Sequence, residues 1–333
     1  MSVFFSIIVP VYNVESFLEE CFLSIAKQSF NDYEIIFIND GSTDSSGEIC
    51  DAICRKFTNA STIHKLNGGL SDARNVGINI ARGSYVILLD SDDKLNTNAL
   101  EELHNLIRNN NDPDVVLNRI KLFSNENKLG IECKYKFTEE LKEKSVSGIF
   151  QQLIRLDDYV PGAWTLVTKR KHIITNELFF VKGLLHEDEQ WTPRTILKAK
   201  SIAFNNSCLY LYRQGRTGSI TQMKNIRREL DKLWIVESLY NERKSNTYSQ
   251  SSSVALLERA SDLYWGVLVR SSQYKSNLEE FNLLIDELHS KQSIFKLSKN
   301  KKYVVFNVFL NVFGIRTISI LISILAIFKK ESS

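Results

Sequence analysis

Only four prolines occur in 333 residues, and neither a low-complexity tract nor an internal repeat interrupts them, which argues against long linkers. Cysteine is sparse as well. Cys21, Cys50, Cys54, Cys133 and Cys208 are an odd number in a large chain, which argues against a disulfide framework. Cys50 and Cys54 lie four apart on an expected helix, yet neither His nor a further Cys stands at ligand spacing. A buried helix face is expected there rather than a metal pair. The net charge of +3 carries no surplus that would call for a nucleic-acid partner. The opening MSVFFSIIVPVYN lacks a basic stretch and a small-residue cleavage site, so it reads as a first strand and the protein is expected not to be secreted. The string NGGLSDARN lacks Gly-x-Gly-x-x-Gly, which disfavours a dinucleotide oxidoreductase.

What is present is ordinary globular composition, 43% hydrophobic and 24% charged, in a chain long enough for one large domain or a domain with an appendage. Its first third alternates. The apolar runs Phe4–Val9, Tyr33–Ile38 and Tyr85–Leu89 have strand character. Between them Phe17, Leu18, Cys21 and Ile25 share one helical face, and Ile49, Ile53 and Phe57 share another. Asp44, Ser45, Ser71 and Thr97 stand where helix caps are needed. This alternation predicts an α/β fold, a mostly parallel Rossmann-like sheet with helices on both faces. Ligands of such sheets bind beyond the carboxyl ends of the strands. Those ends carry Pro10-Val11-Tyr12-Asn13, Asn39-Asp40 and Asp90-Ser91-Asp92-Asp93, so the three sets are expected to converge on one cleft.

The stretch YVILLDSDD, Tyr85–Asp93, sets three carboxylates directly after a buried run, where like charges repel and hydration is lost. Turn punctuation accounts for a single acid such as Asp44, but three exceed what a turn or cap needs. Oxygen-rich sites suit Mg2+ or Mn2+, and Mg2+ keeps few protein ligands and takes others from substrate phosphates. The pattern therefore points to a metal–phosphate site in an open α/β domain.

Two long strings, SIIVPVYNVESFLEECFLSIAKQSFNDYEIIFINDGSTDSSGEIC and NGGLSDARNVGINIARGSYVILLDSDD, resemble the nucleotide-binding half of the family 2 glycosyltransferases, which have the GT-A fold. Weaker likeness continues at FFVKGLLHEDEQW and LYRQGRTGSIT. The resemblance implies transfer of a sugar from a nucleotide diphosphate donor, usually a UDP-sugar, to an acceptor hydroxyl with inversion. It implies that Pro10, Val11 and Tyr12 line the nucleoside pocket, that Asp40 bonds the base, and that Arg74 lies beside it. It implies Asp90 at the ribose and Asp92 on the metal, with Asp90 a second metal candidate, Ser91 in the same donor site and Asp93 in support. Asn39 departs from the more usual Asp at its position, which puts any role for that charge in doubt.

Transfer to a hydroxyl needs a general base within reach of its proton. LLHEDEQW supplies Glu187, Asp188 and Glu189, clustered so that they raise one another's pKa. The plainer reading is an acidic helix N-terminus complementing the dipole. The resemblance favours Asp188 as the base, with Glu187 in reserve. His186 beside them reads as a phosphate or metal contact or as a structural hydrogen bond. The departing diphosphate needs cationic help, and YRQGRTGS offers Arg213 and Arg216 beside two glycines, or else a solvated turn. Trp164 either stacks on a sugar or sits in the core.

Three segments are expected: a catalytic domain over 1–222, a helical subdomain over 223–298 and a membrane-associating tail over 299–333. Tyr303–Phe328 is long enough to span a bilayer, but Asn307, Asn311, Arg316 and Ser319 interrupt it and Lys299, Lys301, Lys302, Lys329 and Lys330 flank it. A helical pair or re-entrant segment in the membrane interface is favoured, ahead of a true span or a core helix. The expected acceptor is a saccharide on a polyprenyl diphosphate, at the cytoplasmic face of a bacterial inner membrane, for capsule, exopolysaccharide or O-antigen. The rival readings are a sugar-phosphate nucleotidyltransferase, which would open with a Gly-rich basic loop where PVYNVESF stands, and a non-catalytic binding module.

Overall fold

The computed structural model describes residues 3–124, 131–132, 136–156, 160–215 and 225–331, with the backbone alone for 131–132 and 323–331. The chain divides into two compact units, Met1–Ser219 and Ile220–Ser333.

The first unit opens with β1 (Phe5–Val11), α1 (Glu15–Ala26), β2 (Tyr33–Asn39), α2 (Ser46–Lys56), β3 (Ala60–His64), α3 (Leu70–Ile80) and β4 (Tyr85–Leu88). β1 and β2 are buried along their whole lengths, which is why they read as unbroken apolar runs. β1 runs through Pro10 rather than stopping there. The Val11 carbonyl accepts the Asp40 N–H from the β2 side, so Pro10 faces the other side, where β4 pairs with β1 only as far as Ile8↔Leu88. No strand partner needs the N–H that proline lacks.

The caps differ from expectation in two places, at Ser71 and at Thr97, where Asn98 (φ +60°) is instead the cap residue of the helix Ala99–Asn109. Asp44 accepts from the Ser46 N–H at 3.0 Å and from the Glu15 N–H at 3.1 Å, so one carboxylate anchors the starts of α2 and α1. α3 begins two residues earlier than a Ser71 cap would set it: Gly69, at φ +85°, is the cap residue and Ser71 lies buried inside the helix. The orphan N–H groups of Gly68 and Gly69 go instead to Asp40, at 2.9 and 2.8 Å. α3 then lies hard on β1, for a Cβ at Gly77 would come within 2.3 Å of the Ile8 side chain.

The rest of the unit comprises β5 (Lys94–Leu95), α4 (Ala99–Asn109), β6 (Val115–Phe123), β7 (Ile131–Glu132), α5 (Glu139–Lys142), α6 (Val146–Leu153), β8 (Leu166–Lys169), α7 (Arg170–Thr175), α8 (Glu187–Leu197) and β9 (Ile202–Arg213). The nine strands form one sheet in the order β3-β2-β1-β4-β8-β6-β9-β5, with β7 paired to β6. The α/β class expected from the alternation holds. β3-β2-β1-β4 is the parallel part, β8 joins it antiparallel on both sides, and β9 runs parallel to β6 and antiparallel to β5. The pairing Leu95↔Tyr210 carries the end of β9 alongside the acidic turn that precedes β5.

The second unit is helical: α9 (Ile226–Glu242), α10 (Gln250–Ser271), α11 (Leu278–Lys296) and α12 (Lys301–Glu331). Side chains cap the first three, Asn225 accepting from the Arg227 N–H, Ser249 from Ser252 and Asn277 from Glu280. Leu233, Val236 and Leu239 turn inward as their spacing requires, whereas Trp234 is exposed. Tyr264 stacks on Phe295 at 4.8 Å, and Arg270 clasps Glu229 with two 3.0 Å bonds. α12 leaves helical geometry at Gly314 (φ 73°).

Candidate active site

The polar ends of β2, β1 and β4 lie side by side at one edge of the parallel part of the sheet. At the end of β1, Pro10 and Val11 are buried and Tyr12 is about half exposed. At the end of β2, Asp40 is occupied by the Gly68 and Gly69 amides and by Lys65, which also reaches Asp72 at 2.8 Å. Asn39 shapes that turn: its side chain accepts from the Ser42 N–H at 3.1 Å and meets His64 Nδ1 at 2.9 Å.

The centre of the arrangement is Arg74 of α3, 1% exposed. Its Nη2 donates to Asp90 Oδ1 at 2.8 Å, and its Nη1 donates to Glu187 Oε1 at 2.7 Å and to Asp188 Oδ1 at 3.0 Å. One guanidinium thus joins the turn after β4 to the first turn of α8. The resemblance sets Arg74 beside a nucleobase; the structure places its charge among the acids. The neighbouring Asn75 holds the segment leading to α8. Its amide donates to the Phe180 carbonyl at 2.8 Å and accepts the Phe180 N–H at 2.9 Å. The Phe180 ring lies 5.3 Å from the Arg74 guanidinium and stacks on Trp191 at 4.7 Å. Neither Asn75 nor Phe180 carries a sequence signal that separates it from ordinary packing.

The acids of the β4 turn divide by exposure. Asp90 and Asp92 are half-buried and Ser91 is buried. Asp93 is 1% exposed and accepts from the Tyr210 hydroxyl and the Arg213 N–H, each at 2.7 Å. Burial, with Asp90 and Asp92 close by, pushes the Asp93 carboxyl well above its ordinary range. Asp93 is therefore an internal strut of the turn. Arg213 is buried too. Its Nε donates to the Asp92 carbonyl at 2.7 Å, its guanidinium pairs with Glu20, and Phe17 and Phe123 flank it at 5.0 and 4.5 Å. It braces the acidic turn from behind. Arg216 lies outside the described residues. Trp164 is a core residue, stacked between Tyr210 at 4.6 Å and Tyr212 at 4.8 Å. The period-two spacing of those tyrosines on β9 was the available signal for that sandwich.

The pair at the start of α8 is electrostatically strained. Burial, then the neighbouring Glu187, pushes the Asp188 carboxyl up to about 8, against the pull of Arg74 and the Ala163 N–H. Burial also raises Glu187, again against Arg74. His186 starts the helix at φ +61°. Asp188 keeps more exposure than Glu187, 23% against 11% of the side chain, so it is the better placed to meet a substrate proton.

Among the described residues no group of three or more His, Cys, Asp or Glu is arranged to hold a metal ion. In the turn after β4, Asp90 and Asp92 are the carboxylates that keep exposure. Two oxygen donors fit a hard divalent cation that completes its shell with phosphate and water, and do not fit zinc.

The model of glycosyl transferase family 2 matches residues 6–161. The glycosyltransferase GlyG of Streptococcus pneumoniae is 35% identical over 239 residues, 70% of this chain and 76% of that protein. The poly(ribitol-phosphate) beta-glucosyltransferase of Bacillus spizizenii is 32% identical over 220 residues, 64% of this chain and 32% of that protein. The crystal structure of S. aureus TarS 1-349 in complex with UDP-GlcNAc superposes with a TM-score of 0.72 at 20% identity, covering 95% of this chain and 90% of that one. The likeness to TarS shows the GT-A fold. The chain belongs to glycosyl transferase family 2.

Proposed function

We propose that the protein transfers a sugar from a UDP-sugar to a hydroxyl of a cell-surface saccharide or polyol-phosphate polymer, with inversion, and that the first unit, Met1–Ser219, carries the reaction. The observation that carries this reading is the single buried Arg74 joining Asp90, on the donor side, to Asp188, on the acceptor side. Inversion in one displacement needs one base and one leaving group. Asp188 takes the acceptor proton as the hydroxyl oxygen bonds the anomeric carbon, and the bond from that carbon to the UDP oxygen breaks. Pro10, Val11 and Tyr12 flank the nucleoside, Asp40 faces the base, and Asp90, Ser91 and Asp92 meet the ribose and phosphates. Asp92 and Asp90 would hold Mg2+ or Mn2+, which when bound would supply charge compensation for the departing diphosphate. The glucosyltransferase relative supports a polymer acceptor and the TarS complex supports a UDP-sugar. We place the work at the cytoplasmic face of a bacterial inner membrane, on an acceptor carried by a polyprenyl diphosphate.

The test is UDP release by the full chain from a panel of UDP-sugars, with membrane extract as acceptor source and with Mg2+, Mn2+ or a chelator. Acceptor-stimulated release that needs the cation is expected. Release of inorganic diphosphate from a nucleoside triphosphate instead would identify a nucleotidyltransferase.

A further inference from the structure

We propose that α12 is a surface-lying anchor: it rests along an anionic lipid bilayer and inserts the face formed by Val304, Val305, Val308, Phe309, Val312 and Phe313. The inference deepens the membrane placement given above and rests on that reading. Those six side chains are between 46% and 67% exposed. Their spacing, in adjacent pairs four residues apart, gathers them on one half of the helix circumference. The opposite half is committed to the second unit. Tyr303 bonds Asp262, the Asn307 amide donates to the Phe295 carbonyl at 3.2 Å, and Leu310 is buried. Beyond Gly314, Ser319 meets the Ser271 hydroxyl at 2.7 Å and Arg316 pairs with Asn282.

By length and composition Lys301–Ile322 could cross a bilayer. Crossing would strip Tyr303, Asn307 and Ser319 of these partners and set their polar atoms in hydrocarbon. The straight part, Lys301–Phe313, rises only about 20 Å, short of a hydrocarbon core of about 30 Å.

Charge selects the occupant. Lys296, Lys299, Lys301 and Lys302 are exposed at the start of the apolar stripe. From Lys296 onward the sequence holds seven Lys or Arg and one acid. Ile220–Ser333 holds 17 basic against 11 acidic residues, in a chain with 42 against 39 overall. An exposed apolar stripe led by lysines fits anionic headgroups over acyl chains.

The experiment is flotation of the full chain with vesicles of about 30 mol% phosphatidylglycerol in phosphatidylcholine, and with phosphatidylcholine alone. Donor and acceptor are left out, and UDP binding is measured separately. Binding to the anionic vesicles is expected, weakened by about 0.5 M salt. V308E with F313E should lower it about tenfold or more, and K299S/K301S/K302S about 100-fold, both with UDP binding and melting temperature unchanged. Equal binding to both vesicles, or none to either, overturns the proposal. So does a lipid-free dimer that V308E dissociates, which would make a second copy the occupant, or carbonate-resistant insertion, which would make α12 a span. If vesicles bind and UDP does not, the anchor stands and the enzymatic reading fails.

Discussion

Replacing Arg74 by methionine removes one positive charge from beneath three carboxylates while keeping most of the side chain's volume. Three charge-assisted bonds are lost, each worth about 1.5–3 kcal/mol. Their sum is an upper bound, because the stranded carboxylates protonate and draw water into the cleft. Removing one partner of a buried ion pair commonly costs about 3–5 kcal/mol, and that is the value expected here. For a unit of this size each kcal/mol moves the midpoint by about 2–4 °C, so calorimetry should show the first unit melting roughly 6–20 °C lower. The sign of the pH dependence follows from the site. Arg74 pulls the Asp188 and Glu187 carboxyls down against burial, so without it their folded-state pKa values rise further. The variant then folds with protonated acids over a wider range, and its deficit against the parent shrinks as pH falls and grows toward pH 8. Arg74→Lys should recover part of the loss, since one ammonium cannot fork to both sides. A midpoint unchanged at pH 8, or a deficit that does not vary with pH, would refute the clamp.

The remaining predictions concern turnover and the acidic turn. Asp188→Asn should lower turnover about 10²–10⁴-fold with UDP affinity retained by calorimetry; loss of UDP binding as well would assign Asp188 a structural role. Because only the ionised carboxylate accepts a proton, kcat/KM in the parent should climb with pH through a midpoint near 8, and a limb at about 4, the ordinary carboxylate value, would contradict the strained pair. Tyr210→Phe keeps the ring against Trp164 but takes one of two hydrogen bonds from buried Asp93, so denaturant unfolding should register about 1–3 kcal/mol of lost stability. An unaltered denaturation midpoint there would mean that Asp93 finds another donor.

The parallel half of the sheet was legible because strands buried on both faces read as unbroken apolar runs, and because polar residues at their ends stand out against them. Asp90, Asp92 and Asp188 were legible for the same reason, as charge set against apolar neighbours. What escaped depends on contacts far apart in sequence. The roles of Arg213 and Asp93 turn on β9 arriving beside the acidic turn, and no local pattern announces that pairing. Ser71 looked like a cap because its neighbourhood has the right residues, yet the amides of Gly68 and Gly69, just before α3, are taken by Asp40, nearly thirty positions away. The apolar run Phe4–Val9 ended short of β1's true end at Val11, because the early end of β4 that lets Pro10 stay in the strand is invisible in a single strand.

The Asn75 amide engages both backbone groups of Phe180, doing for that residue what a neighbouring strand would. Phe180 is thereby one fixed post and the first turn of α8, held by Arg74, is another. Between them run Val181–His186, where Lys182 and Gly183 are exposed. The span is fastened as well, for Lys182 pairs with Asp72, but it is the posts that set where Asp188 stands. A longer loop grafted into that short bridge should therefore leave Asp188 on Arg74 and lower the melting temperature by no more than the loss of the Lys182 pair.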